Sequence, residues 1–357
     1  MVDRREVLGF RVRAQQLDRT EGTVDDTALL DLGAQDTGPD GGRWALTIRG
    51  LDASAVPEKE LILLWTVRGA PHLYRRADAG QVAAAVEPYS DADAGKRIFD
   101  AARPLKAAGI GNLAALDAVA AAMRTIVTTP TAKGDVSGRL ATVLPEPYLR
   151  FCRVCDATHP YEQPFRLSAL RAGLELAPGT SPPVLRRIPR FRKAAVADER
   201  FDLVRGYLRL LGPATPKQVA EYVDAPVKAV RAHWPADAVE VTVDGETRWM
   251  VSALEPAAAA TRLLGPFDLF LQARDRATLV PDPAAAKALW PVLGRPGAVL
   301  VDGDLVGTWR PRASGRSLTV AVSPWRRLPA AVRAAIGVEA ERLAGYRGAT
   351  LKSVDYS

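Results

Sequence analysis

The residues whose types could do chemistry are few. Cys152-Arg153-Val154-Cys155 followed by His159 puts two thiols and an imidazole in a short span, a soft donor set that zinc accepts. A structural zinc site takes four ligands, and no second Cys or His pair exists, so Glu162 or Asp156 would have to complete it. A redox CxxC would need a thioredoxin-like strand–helix–strand setting, which the flanks do not supply. The expectation is therefore two half-buried thiols, with no metal assigned. No Gly-rich phosphate loop and no Ser-His-Asp signature stands out, so neither a nucleotide nor any other cofactor is expected.

The other usable chemistry is positive charge. In Arg186-Arg187-Ile188-Pro189-Arg190-Phe191-Arg192-Lys193 five of eight residues are basic and none is acidic. From Leu305 to Arg327 there is again no acid, but Arg310, Arg312, Arg316, Arg326 and Arg327 are present, with Trp309 and Trp325 each directly before an arginine. Such surfaces bind phosphate backbones by counterion release, and guanidinium planes suit phosphate oxygens and stacking. The alternative is a solvated linker and an exposed sheet face.

The elements that must position these residues are most legible between 199 and 255. Arg200 to Leu211 carries Phe201, Val204, Tyr207, Leu208 and Leu211 on one helical stripe, and Gly212-Pro213 ends it. Thr215 is a good N-cap, Pro216 fits a first helical turn, and Gln218 sits at the reciprocal capping-box position. A further helix opens at Pro226 and closes at Pro235. Val239 to Val243, the turn Asp244-Gly245, and Thr247 to Val251 then read as a β-hairpin. Three helices and a hairpin make a winged helix, whose third helix presents Lys228 and Arg231 towards a groove. The alternative use of such a module is protein packing.

The pattern recurs upstream. Arg4 to Gln16, a segment capped by Asp25 or Asp26 and running through Leu32, and Arg43 to Ile48 read as helices. Leu61 to Val67 and Pro71 to Tyr74 read as strands around Arg68-Gly69. Leu113 to Val127 and Val136 to Val143 are helical, with a helix-turn-helix corner at 129–135. Pro178 to Lys193 looks like a basic linker. Beyond 256, Leu269-Phe270-Leu271, 298–301, 305–310 and 317–322 read as strands, 329–344 as a helix, and 350–354 as a last strand. The expected architecture is α+β: winged helices at 1–90, 91–195 (with the basic linker) and 196–255, then a C-terminal antiparallel β-barrel-like domain at 256–357.

Composition agrees with a folded, polyanion-compatible protein. The chain has 357 residues, 48% hydrophobic and 25% charged, which excludes wholesale disorder. Its formal net charge is +7 and its sequence pI about 9.5. No apolar run reaches membrane-spanning length, and charges near the start leave no signal-peptide core, so no membrane contact is expected. Two cysteines exclude a disulfide framework and fit a reducing cytoplasm, at the nucleoid if DNA is the partner.

Three spaced motifs then point to a family. Trp65-Thr66-Val67-Arg68-Gly69-Ala70-Pro71-His72-Leu73, Leu263-Leu264-Gly265-Pro266-Phe267-Asp268, and Val301-Asp302-Gly303-Asp304-Leu305-Val306-Gly307-Thr308-Trp309-Arg310 together resemble winged-helix proteins related to the AlkZ and YcaQ DNA glycosylases, over about residues 6 to 328. The resemblance implies tandem winged helices on duplex DNA, and excision of bulky alkylated bases with unhooking of interstrand crosslinks. It also implies a catalytic Gln-x-Gln or Gln-x-Asp pair in the first module. The matching stretch is Leu32-Gly33-Ala34-Gln35-Asp36. Gln35 keeps the second position, while Gly33 replaces the first glutamine. Neither Asp36 nor Asp31 fills the missing place. Gln35 is thus the catalytic candidate, with Asp36 and His72 as supporting candidates and Arg68 among the DNA contacts. Two readings stay open. Gln35 favours a glycosylase, and Gly33 favours a non-catalytic DNA binder, either a lesion binder or a transcriptional regulator.

Overall fold

The computed structural model describes residues 2–357. The chain forms two compact units: Met1–Val56, Gly206–Gln218 and Pro235–Ser357 in one, Pro57–Arg205 and Val219–Trp234 in the other.

In the first unit, helix Arg4–Ala14 starts from an Asp3/Glu6 capping box and buries Val7, Leu8, Phe10 and Val12. The helix at Leu29–Leu32 is a single turn. Neither Asp25 nor Asp26 caps it; Ala28 is its N-cap, and Asp26 Oδ1 instead accepts from Thr23 N at 2.9 Å. Helix Gly42–Thr47 follows. Thr215 and Gln218 form the expected reciprocal cap, at 3.3 and 2.8 Å. The hairpin Val239–Val243/Glu246–Met250 turns through Asp244 and Gly245, both at positive φ.

The C-terminal sheet is open, not a barrel. Its order is Thr261–Leu264, Gly297–Val301, Asp304–Ser314, Ser317–Pro324, Thr350–Tyr356. The first three pairings are antiparallel and the last is parallel. Helix Ala330–Tyr346 is the reason: it carries the chain back to the level where strand Ser317–Pro324 begins, and parallel neighbours require such a crossover. Leu269–Gln272 is a 3-10 turn rather than a strand, because the Asp268 carboxylate accepts from Phe270 N and starts a turn there.

In the second unit, Pro71–Arg75, Leu61–Trp65, Leu174–Leu176, Val184–Arg187 and Thr131–Ala132 hydrogen bond in that order. Helices Asn112–Ile126 and Glu162–Arg171 pack under the sheet around Trp65, Leu116, Met123 and Phe165. The segment read as a basic linker contributes the strand Val184–Arg187, with Leu185 wholly buried. Leu185 in the core and ladder pairing with strands Leu174–Leu176 and Thr131–Ala132 override its Pro- and Arg-rich composition. Leu149–Cys152 and Ala157–Pro160 form a separate hairpin.

Candidate functional site

The segment from Leu29 to Thr47 is built to hold Gln35 in one place. Gly33 ends the short helix, its N–H bonding to Leu29 O at 2.9 Å. It sits at φ 96°, ψ 131°, a region essentially reserved for glycine. Glycine at position 33 is therefore a backbone requirement of this chain.

Gln35 follows in a short extended stretch and is half-buried. Its Nε2 donates to Thr37 Oγ1 at 3.1 Å. That bond orients the carboxamide and leaves Oε1 as the free acceptor. Asp36 is committed differently. Its Oδ1 accepts from Gly42 N at 2.8 Å, so it caps helix Gly42–Thr47 and fixes the loop between. Burial pushes its carboxyl above the usual range, against the opposing N–H bonds of Gly42 and Arg43 and the Arg43 charge. Asp31 is also occupied, in an ion pair with Arg209 at 2.9 Å.

The far end of the same loop is tied down by Asp40, which pairs with Arg347 through both oxygens. Trp44 packs against Tyr346 at 5.3 Å between ring centroids and donates its indole N–H to Leu263 O at 2.7 Å. The motif Leu263 to Asp268 is thus scaffolding for this segment. A Cβ on Gly265 would lie 2.2 Å from Asp40 O, so only glycine permits that approach. Asp268 makes a bidentate pair with Arg49, at 2.7 and 2.9 Å, with both side chains fully buried. Sequence reading missed Thr37, Asp40, Arg347 and the Arg49–Asp268 pair. Only Thr37, two residues from Gln35, carried a local signal.

The third motif is structural as well. Trp309 is 1% exposed and donates to Leu264 O at 2.9 Å; it is a core residue and not a stacking surface. Arg310 and Arg312 lie beyond it and are exposed, with Arg310 bonded to Gly294 O at 2.6 Å.

In the second unit, the Trp65–Leu73 motif makes a tight turn with Arg68 and Gly69 at positive φ. Thr66 Oγ1 joins His72 Nδ1 and Tyr74 OH, each at 2.9 Å. His72 is buried, and burial, with the Arg68 charge, lowers its pKa to about 3. It is a neutral core imidazole and offers no cation to a phosphate. Arg68 stacks over Tyr222 and bonds to its carbonyl.

The basic run divides. Arg186 pairs with Glu58 at 2.8 Å and Glu175 at 3.1 Å. Arg187 donates to Val127 O and Arg124 O, and Lys193 pairs with Glu87 at 3.0 Å. Arg190 and Arg192 are exposed. Lys228 and Arg231 are exposed on helix Val227–Ala232.

Cys152, Cys155 and His159 come together at the hairpin turn, with one candidate ligand atom from each within 4.8 Å of the others. Glu162 does not join them; it bridges Lys133 and Arg166 at 2.6 and 2.5 Å. Hydrogen bonds from Cys155 and Val154 hold the Cys152 thiol below its ordinary pKa, while Cys152 pushes Cys155 up.

Among the described residues no helix is long and apolar enough to cross a membrane. A family model described as DNA glycosylase AlkZ-like matches residues 32–346. The Streptomyces sahachiroi DNA glycosylase AlkZ has a similar solved structure, with TM-score 0.74, 20% identity and full coverage of both chains. No curated protein matches significantly.

Proposed function

Because this chain belongs to the AlkZ-like DNA glycosylase family, we propose that it binds duplex DNA and hydrolyses the glycosidic bond of bulky, cationic N7-alkylated bases, including those that link two strands. Alkylation at N7 of guanine makes the base a cationic leaving group, so its departure needs no proton from the protein. Positive charge then develops on the sugar as an oxocarbenium-like state. A fixed carboxamide oxygen beside that sugar stabilises the charge and orients the attacking water. It is too weak a base to do more, which limits the reaction to activated leaving groups.

The observation that carries this reading is the Gln35–Thr37 bond, which leaves Oε1 free at the position where the family keeps its catalytic amide. Asp36 acts by holding the loop that presents Gln35. DNA contacts would come from the exposed cations Arg190, Arg192, Lys228 and Arg231 in the second unit and Arg310 and Arg312 in the first, on tandem winged helices, and the protein would work in the cytoplasm at the nucleoid. Arg186 and Lys193 contribute less, since carboxylates already pair with them, as does Arg187, which two carbonyls hold against one for Arg310.

One observation favours a second reading. With Gly33 in place of the first glutamine, a single amide faces the substrate, as suits a protein that binds lesions or regulates transcription without cutting. Release of free alkylguanine from N7-alkylated duplex DNA by the purified protein separates the two. Release above spontaneous depurination supports the enzyme; tight binding without release supports the binder.

A further inference from the structure

The hairpin Leu149–Cys152/Ala157–Pro160 is anchored at its base, where Leu149 meets the core and the strand Ala157–Pro160 lies on helix Lys133–Val143, but its turn end has little packing. Phe151 is 61% and Val154 95% exposed, and Pro160 is the single buried residue on its two strands. A two-stranded hairpin with so little apolar burial is marginal in water unless something else holds it. Its turn gathers the donors that can do so.

We propose that Cys152, Cys155 and His159 bind one thiophilic divalent cation of the zinc type, with three protein ligands and a fourth position open to solvent. Cys152 pairs with Ala157 at the end of the ladder, and Asp156 takes a positive φ to close the turn. The two thiols, three residues apart, therefore project to the same side. His159 reaches them from the returning strand, and the three ligand atoms lie within 4.8 Å of one another.

Tetrahedral zinc with Zn–S bonds of about 2.3 Å places its ligand atoms roughly 3.8 Å apart. Metal binding thus requires contraction of about 1 Å at most, within the reach of side-chain rotation at an exposed turn. Ser137 Oγ on helix Lys133–Val143 lies 3.5 Å from His159 Nδ1. A metal on Nε2 keeps that contact as the outer support that histidine ligands usually have. Each thiol loses its proton to solvent on binding, and no oxidant is involved.

The test uses the full chain, stripped of metal with chelator and kept reduced without oxygen. Cobalt(II) is the spectroscopic probe and zinc(II) the competitor. The expected result is thiolate-to-cobalt charge transfer with strong tetrahedral ligand-field bands. These should saturate at one cobalt per chain and bleach when zinc is added. Cys152→Ser and Cys155→Ser, both at the accessible turn, should abolish the spectrum, and Ser137→Ala should weaken affinity about ten-fold. Zinc should also slow amide exchange across 149–160. Wild type without a thiolate–cobalt band, a band that survives Cys152→Ser, or thiols found joined as a disulfide with no cobalt uptake would each overturn the proposal. Base excision is not part of the readout, so this result stands or falls apart from the glycosylase reading.

Discussion

Gly33 is where sequence departure and backbone geometry meet, and replacing it tests the link. At φ 96°, ψ 131° any Cβ is strained, by about 1–3 kcal/mol. For units of this size 1 kcal/mol moves Tm by about 2–4 °C, so Gly33→Ala should melt roughly 2–12 °C below wild type. Gly33→Gln should lose at least as much, because the position is buried and the longer side chain must also be placed. The control is Gly9→Ala in helix Arg4–Ala14, where a new Cβ meets nothing within 4 Å. That change should stabilise by about 0.5–1 kcal/mol. The assay is thermal unfolding followed by circular dichroism and checked by urea titration, with base excision measured on whatever Gly33→Gln protein remains folded. Restoring the family's pair should not raise excision, since the backbone that presents Gln35 is disturbed. A Gly33→Ala variant that melts within about 1 °C of wild type, or a Gly33→Gln variant that is both stable and faster, would refute the reasoning.

Other expectations follow from the same structure. Arg49→Met strands the fully buried Asp268 carboxylate and should cost about 3–5 kcal/mol by denaturant unfolding; a loss under about 1 kcal/mol would show that the pair is not what holds the motif. Neutralising Arg190 and Arg192 together should lower the log–log salt slope of duplex binding by about 2, whereas Arg186→Ala should leave that slope nearly intact and destabilise only modestly, since Glu175, which is 3% exposed, keeps its pair with Arg76. His72 has a folded pKa of about 3 against 6.5 in the unfolded chain, so the unfolded state takes up its proton first. Its contribution is complete above pH 6.5 and falls away as pH drops towards 3, by about 2 kcal/mol at pH 5. Urea midpoints from pH 7 to 5 should show that loss in wild type and a flatter profile in His72→Gln.

What the sequence made legible was local. The Thr215–Gln218 cap and the Asp244-Gly245 turn rest on contacts within three residues, and each formed as expected. Leu269-Phe270-Leu271 was misread because three apolar residues carry no period, and the decisive signal was the Asp268 cap beside them. The barrel expectation failed because turn signals describe hairpins well but do not reveal that the last strand returns parallel through a helix. The strand–helix–strand order at 317–356 was the available clue. At the site, Gln35 was put forward by resemblance, while the positive φ of Gly33 emerges only from the fold. The long-range ties could not be read at all. Arg347 to Asp40 and Arg49 to Asp268 join residues 307 and 219 apart, and nothing in local composition marks an arginine as buried. The basic run at 186–193 looked uniform because composition does not tell Arg186, engaged by two carboxylates, from Arg190, which is exposed.

The most direct test of the central claim is single-turnover release of N7-alkylguanine from duplex DNA by wild type and Gln35→Ala at matched DNA occupancy. In the proposed mechanism Gln35 stabilises charge that appears only in the transition state, a role typically worth ~10²–10³ in rate. Wild type should therefore release base well above spontaneous depurination, and Gln35→Ala should be slower by about that factor with little change in DNA affinity. Asp36→Asn should retain much of the rate, because an amide oxygen at that place can still accept from Gly42 N. No release by wild type above the spontaneous rate would contradict the enzyme reading, and a Gln35→Ala variant as fast as wild type would contradict the role given to Gln35.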